Sequence, residues 1–138
     1  GSDPAVTLQV QVVSPERILW SGEAELVTAR TVEGGDITFL NGHAPFVGAL
    51  ETCKVTIRPD QGTDTYYAVH GGFVEVSNNE ISVLTDVSEP ADAIDIERAN
   101  VARAAAAEAL QLDPADAAAV ASKRRAELRL EVAGVVPD

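Results

Sequence analysis

The sequence predicts an α+β chain: an N-terminal antiparallel β-sandwich over about residues 3–87, then a C-terminal antiparallel two-helix hairpin over about residues 92–134. Three observations predict it. Apolar and polar residues alternate with period two through the first two-thirds of the chain. Turn residues interrupt that alternation about every ten residues, the spacing of a sandwich or barrel. Near Ser88-Glu89-Pro90-Ala91-Asp92 the β-branched residues thin out and alanine takes over, which exchanges strand preference for helix preference.

The strands follow in order. Val6, Leu8, Val10 and Val12 point one way and Thr7, Gln9 and Gln11 the other. Ser14-Pro15-Glu16 and Ser21-Gly22 read as turns. Ile37, Phe39 and the run Phe46 to Leu50 read as short buried strand pieces, separated by a tight polar turn at Asn41-Gly42-His43-Ala44-Pro45. Cys53, Val55 and Ile57 alternate with Lys54, Thr56 and Arg58. Tyr67, Val69, Phe73 to Val76 and Ile81 to Leu84 complete the set, and Pro59-Asp60-Gln61-Gly62 and Ser77-Asn78-Asn79 are turns between them.

The first helix starts at a cap provided by Asp92 or Asp95 and runs to about Leu110. Asp113 as N-cap, Pro114 at the first helical position and Asp116 in the first turn start the second, which runs to about Val132 with Gly134 as its stop. The expected inner stripes are Val101, Ala105, Ala109 and Leu112 on one helix and Ala117, Val120, Ala121, Arg124 and Leu128 on the other. Alanine contacts bury about one methyl each, roughly 0.8 kcal/mol. Such a hairpin holds its helices while docking weakly, which suits a switch.

Composition narrows the function. The net charge of −12 and pI near 4.4 argue against nucleic acid or an anionic membrane as the main partner. Residues 1–91 carry 13 acids and 4 bases, and residues 92–138 carry 9 acids and 6 bases, so the acidity sits in the predicted sandwich. The single cysteine, Cys53, forms no disulfide within the chain, which fits a reducing compartment. No apolar run is long enough to span a bilayer and no secretory signal is visible, so direct membrane insertion is not expected.

Catalysis by this chain alone is not expected either. There is no Gly-x-x-x-x-Gly-Lys-Ser/Thr loop and no serine in a nucleophile elbow. His43 and His70 are too few for a metal centre, and His43 reads as a turn histidine bonding locally. Ile94-Asp95-Ile96-Glu97-Arg98-Ala99 reads as a capped helix start; the same free N–H groups and guanidinium also suit a phosphate. Lys123-Arg124-Arg125 is a basic cluster in an acidic chain, with Glu127 and Glu131 as helical partners.

Three segments carry a family resemblance. Gly34 to Leu50 is similar to the pattern Gly-x-x-Gly-Ile-x-Pro-Gly-His-x-Pro-Leu-x-x-x-Leu of the epsilon subunits of rotary ATP synthases, with Asn41 in place of the usual proline and Thr38 where glycine is common. Gly71-Gly72-Phe73-Val74-Glu75-Val76 and Ile94-Asp95-Ile96-Glu97-Arg98-Ala99 follow in the family's order. The resemblance implies a rotor subunit in the central stalk, on the cytoplasmic face of a bacterial membrane. It would link the gamma subunit to the membrane rotor ring of c subunits and oppose ATP hydrolysis through its hairpin. Glu33 and His43 would sit in loops at the end of the sandwich that meets the ring. Lys123, Arg124 and Arg125 would face an acidic segment of the catalytic beta subunits, within the alpha/beta ring, when the hairpin extends. Some members bind ATP through Ile/Leu-Asp-x-x-Arg-Ala and an upstream acid, here Ile94, Asp95, Arg98, Ala99 and Glu89. The further arginines of those members fall at Ala105, Val132 and Val136 here, so no cofactor is required and ATP is expected to bind weakly or not at all. Two other readings stay open: an ATP-sensing regulator, and a free-standing sandwich that binds a small ligand with His43 at its mouth.

Overall fold

The computed structural model describes residues 7–134; Val6 and Val136 lie outside them. Among the described residues the chain forms strands β1 (Leu8–Val13), β2 (Ile18–Thr31), β3 (Gly35–Leu40), β4 (Phe46–Pro59), β5 (Thr65–Ser77), β6 (Glu80–Leu84) and β7 (Ser88–Pro90). A 3-10 turn at Ala91–Ala93 leads into helices α1 (Ile96–Leu112) and α2 (Ala117–Val132). An N-terminal β-sandwich followed by a helical hairpin is the predicted class.

The strands follow the order β1-β6-β5-β4-β2-β3, and β1 also pairs with β2, so the circuit closes on itself as a flattened barrel. All neighbours are antiparallel except β1 and β6, which are parallel. Closure leaves few open edges.

Three long strands serve both layers of the sandwich, and each reverses its side-chain parity midway to do so. In β5, Tyr67 and Val69 point inward, then Val74 and Val76. In β4, Leu50 points inward, then Cys53, Val55 and Ile57. β2 switches between Ala24 and Val27, where its register against β4 slips by a bulge. In an unbroken strand the inward residues would keep period two throughout. The switch in β5 falls at Gly71 and Gly72, with φ of +87° and +135°. A Cβ on Gly72 would lie 2.1 Å from the carbonyl oxygen of Leu84. The buried Thr85 hydroxyl sits 2.9 Å from the carbonyl oxygens of Gly71 and Val87 and holds the kink.

Several expectations change. Ser21-Gly22 is not a turn but the middle of β2; Gly22 lacks a side chain because the indole of Trp20 lies over it, 3.1 Å from where a Cβ would stand. Val47 and Phe73 sit in strands but on the outer face, 71% and 54% exposed. Asp113 is not the N-cap of α2. It caps the C-terminus of α1, its carboxylate accepts from Ala115 N–H, and Asp116 is the N-cap, accepting from Ala119 N–H at 3.0 Å. The helix therefore starts at Ala117, beyond Pro114.

The hairpin stripes also differ. Val101, Ala105, Leu112, Ala117, Val120, Ala121 and Arg124 face solvent. Ala99 and Ala106 are buried on α1; Ala119, Ala126, Leu128, Leu130 and Val132 are buried on α2. Two residues apart on a helix is ~200° of rotation. Leu128 and Val132 therefore face one way, and Ala119, Ala126 and Leu130 nearly the opposite way. The first pair packs with Ala68 and Ile94 on the outside of the sheet, and the second stripe meets α1. α2 is thus the middle layer, with α1 outermost.

The glycine pair makes two unequal predictions. Gly72→Ala combines forbidden φ with a backbone clash and lowers stability by roughly 2–4 kcal/mol. Gly71→Ala meets open space, and only the positive φ penalises it, by roughly 1 kcal/mol. Thermal unfolding of the two variants should rank them in that order.

Candidate functional site

The outer surface divides at the β5 kink. Before it, β5 points Tyr66, Ala68 and His70 outward; after it, Phe73 and Glu75. Ala68 and His70 lie under the hairpin, and the second set is open.

Under the hairpin, α2 is tied to the sheet by charge as well as by packing. The Glu89 Oε1 atom of β7 lies 2.8 Å from Nε2 of His70 on β5 and accepts from Nε of Arg129 on α2 at 2.7 Å. One carboxylate oxygen therefore joins two strands and a helix. Burial alone would raise the Glu89 carboxyl, but hydrogen bonds from Arg129 and His70 outweigh it and hold the group below its ordinary value. Burial lowers His70, against the pull of Glu89 and with that of Arg129 and Arg125. Lys54 adds a looser contact to Glu131 at 3.7 Å and lies over the ring of Tyr66.

Four of the five side chains of the nucleotide motif have occupations of their own here. Glu89 is engaged as above. Ile94 is buried between hairpin and sheet, and Ala99 is buried on α1. Asp95 is the N-cap of α1 and accepts from the Arg98 backbone N–H at 3.0 Å. The Arg98 guanidinium is exposed and has no ion-pair partner among the described residues.

The structure does not bring Glu33 and His43 to one end of the sandwich. They lie in turns that leave opposite ends of β3, a six-residue strand about 20 Å long. The Glu33 turn is exposed and acidic. The His43 ring packs edge-on to Phe39 and Phe46, at 4.9 Å and 6.2 Å between centroids, and its Nδ1 is 2.7 Å from the Ala44 carbonyl. That is the local role expected of a turn histidine.

Lys123 and Arg124 line an open cleft of about 1120 Å³ between α2 and the outer face of β2, β3 and β4. Arg125 donates to Ser122 and lines a smaller cleft of about 440 Å³. His43 lines neither cleft. No group of three His, Cys, Asp or Glu side chains suited to a metal ion exists among the described residues. No helix among them is long and apolar enough to cross a membrane.

On the open half of the surface, an apolar row crosses five strands in register. Ile18 pairs with Val13, Val13 with Leu84, Leu84 with Phe73, and Phe73 with Ala49. Val32, whose N–H donates to the Ala49 carbonyl, ends the row, and Val47 flanks it. Sequence reasoning missed this row, because alternation marks which residues share a face but not which face is covered.

Comparisons with known proteins agree with one another. The family described as "ATP synthase, Delta/Epsilon chain, beta-sandwich domain" matches residues 7–91. A Streptomyces griseus protein named ATP synthase epsilon chain is 44% identical over 131 residues, covering 95% of this chain and 98% of its own. The Synechococcus elongatus protein of that name is 37% identical over 134 residues, covering 94% and 96%. Among solved structures, a chain of the Euglena gracilis mitochondrial ATP synthase (OSCP/F1/c-ring) superposes with a TM-score of 0.71 at 24% identity, over 97% of this chain and 81% of that one. At that identity the likeness is one of fold.

The charged tie makes a prediction. Arg129→Ala removes a charge-assisted bond worth roughly 1.5–3 kcal/mol. Amide exchange across α2 should quicken by about one to two orders of magnitude while the β4 and β5 amides keep their rates.

Proposed function

The chain belongs to the ATP synthase delta/epsilon family, and from that premise we propose that it works as a non-catalytic rotor subunit whose sandwich binds the gamma subunit through the apolar row from Ile18 to Val32. The observation that carries this is the row itself. Ile18, Phe73, Val47 and Val32 are exposed and Val13, Leu84 and Ala49 between them are half-buried, and an apolar row of this kind costs solubility unless a partner covers it. Its borders are acidic and polar, with Glu75 beside Val47 and Glu33 beside Val32, as an interface rim requires.

The rest of the assembly follows the same reading. The Glu33 turn, exposed at the edge of the row, meets the membrane rotor ring, and His43 serves the fold of its own turn. The chain is peripheral, held at the cytoplasmic face of the membrane by its partners. The hairpin regulates hydrolysis by changing position. Docked, it turns Lys123 and Arg124 into the cleft; extended, it presents them with Arg125 to an acidic surface of the catalytic alpha/beta ring, where electrostatics steers contact. Small differences in docking free energy are enough to shift such a two-position element.

ATP has a minor place in this reading. A nucleotide at the Ile94–Ala99 segment would have to displace Arg129 from Glu89 or do without that carboxylate, and Asp95 would have to leave its cap. We therefore expect binding no tighter than the millimolar range. In a titration of the isolated chain followed by backbone NMR, shifts at Glu89, Ile94, Asp95 and Arg98 should not saturate below about 1 mM, on the order of −4 kcal/mol. Saturation at micromolar ATP would favour the nucleotide-sensor reading.

The gamma contact is tested by charge insertion. Phe73→Asp places a carboxylate in the centre of the row without touching the core. The variant should keep the wild-type melting temperature and lose gamma in co-purification by tenfold or more, the cost of about 1.4 kcal/mol at an interface anchor. Retention of gamma by a folded Phe73→Asp variant at every salt concentration would remove the row from the interface.

A further inference from the structure

We propose that His70, Glu89 and Arg129 form a proton-operated latch that releases the helical hairpin from the sandwich as the surroundings turn acidic.

The geometry supplies the argument. The His70 side chain is 6% exposed, and its Nε2 lies against the Glu89 carboxylate. A carboxylate accepts, so Nε2 carries the ring's proton and the neutral ring leaves Nδ1 as an acceptor. Nδ1 is buried and has no hydrogen-bond partner among the described residues. A second proton there would create a buried N–H with nothing to receive it. It would also create a cation facing two others.

The elements around the ring present unequal charge. β7 presents Glu89, and α2 presents Arg129 and Arg125. β4 presents the uncharged Thr52, opposite His70 in the register. The docked hairpin therefore favours the neutral ring, in keeping with the lowering of His70 by burial and by the two guanidinium groups.

Undocking reverses each of these. When α2 leaves, both arginines go with it and water reaches Nδ1. Glu89, fixed on the sheet beside His70, remains to stabilise an imidazolium. The undocked chain thus takes up a proton that the docked chain refuses. The sign follows from linkage: a histidine whose pKa is depressed in the docked state supports docking above its ordinary value of 6.5, and that support is lost as pH falls below it. One proton limits the slope to about tenfold per pH unit. Glu89 acts in the same direction further down, below its ordinary 4.5, because its docked carboxyl is depressed. The Arg129 guanidinium on Glu89 supplies the clamp.

Spin labels at Leu112→Cys, on the exposed hairpin tip, and Thr63→Cys, in the β4–β5 turn, report docking by their separation. Cys53 is buried, with its thiol pushed up by burial, and stays in place unlabelled. The expected result is one narrow distance population at about pH 8 and a second, broader one that grows below about pH 6.5 by up to tenfold per unit. His70→Gln keeps an N–H for Glu89 and cannot titrate, so it should remain docked to about pH 5. A wild-type distribution unchanged between about pH 8 and pH 5 would overturn the proposal. So would a His70→Gln chain that follows the wild-type curve. Ring ¹⁵N shifts of wild-type His70 give a check free of mutation. They should show the neutral Nε2–H form predominating in the docked population at about pH 6.5, the ring's ordinary value, and a predominant imidazolium there would contradict the latch.

Discussion

The architecture depends on the parity reversal at Gly71 and Gly72. Without it, β5 would turn one set of side chains inward along its whole length and could line only one layer. With it, Tyr67 and Val69 fill the core from one layer and Val74 and Val76 from the other. The same reversal divides the outside. Ala68 and His70 fall on the half that receives α2, and Phe73 falls on the half that stays open. A backbone conformation at two residues therefore decides both where the hairpin docks and where an apolar surface is left for a partner. The approach of Leu84 to Gly72 and the Thr85 hydroxyl on Gly71 keep that conformation in place.

The hairpin is held by few groups for its size. α2 contributes Leu128 and Val132 to the sheet, Arg129 to Glu89 and Glu131 to Lys54. α1 touches mainly α2, through alanines, and leaves Val101 and the 88% exposed Leu112 in solvent. Alanine-rich helices keep their backbone hydrogen bonds whether docked or not. Undocking therefore exposes little apolar surface and breaks few polar contacts, which keeps the two positions within reach of modest free energies. The sandwich has no such freedom, since its closed circuit of strands makes its core a single cooperative unit.

Much of the fold was legible in the sequence because period-two alternation and turn chemistry are local. Cys53, Val55, Ile57, Val74, Val76, Ile81 and Val83 are inward as their spacing required. What local pattern does not encode is what covers a face. Val47 and Phe73 look like core and are outside, because β4 and β5 each reverse parity. Val101, Leu112 and Val120 look like a helix seam and face solvent, because the sheet rather than α1 selects one of the buried faces of α2. Gly22 looks like a turn and serves Trp20. At the candidate site the sequence supplied Glu89, Ile94, Asp95, Arg98 and Ala99 as a group; the structure gives the side chains of Glu89, Ile94, Asp95 and Ala99 a structural task and leaves the Arg98 guanidinium exposed. It did not place His70 or Arg129 beside Glu89. Both come from segments distant in the chain, and their meeting at one carboxylate is a product of the fold.

The outer surface is divided, one half covered by the chain's own hairpin and the other, in the proposed assembly, covered by gamma. Amide hydrogen exchange measured on the chain alone and in complex with gamma tests it most directly. New protection is expected at Val47 to Ala49, Phe73 to Glu75 and the Val32 turn, with α2 and the Tyr66 to His70 segment unchanged while the hairpin stays docked. Protection confined to the hairpin-bearing half, with the row from Ile18 to Val32 exchanging as freely as in the isolated chain, would contradict it.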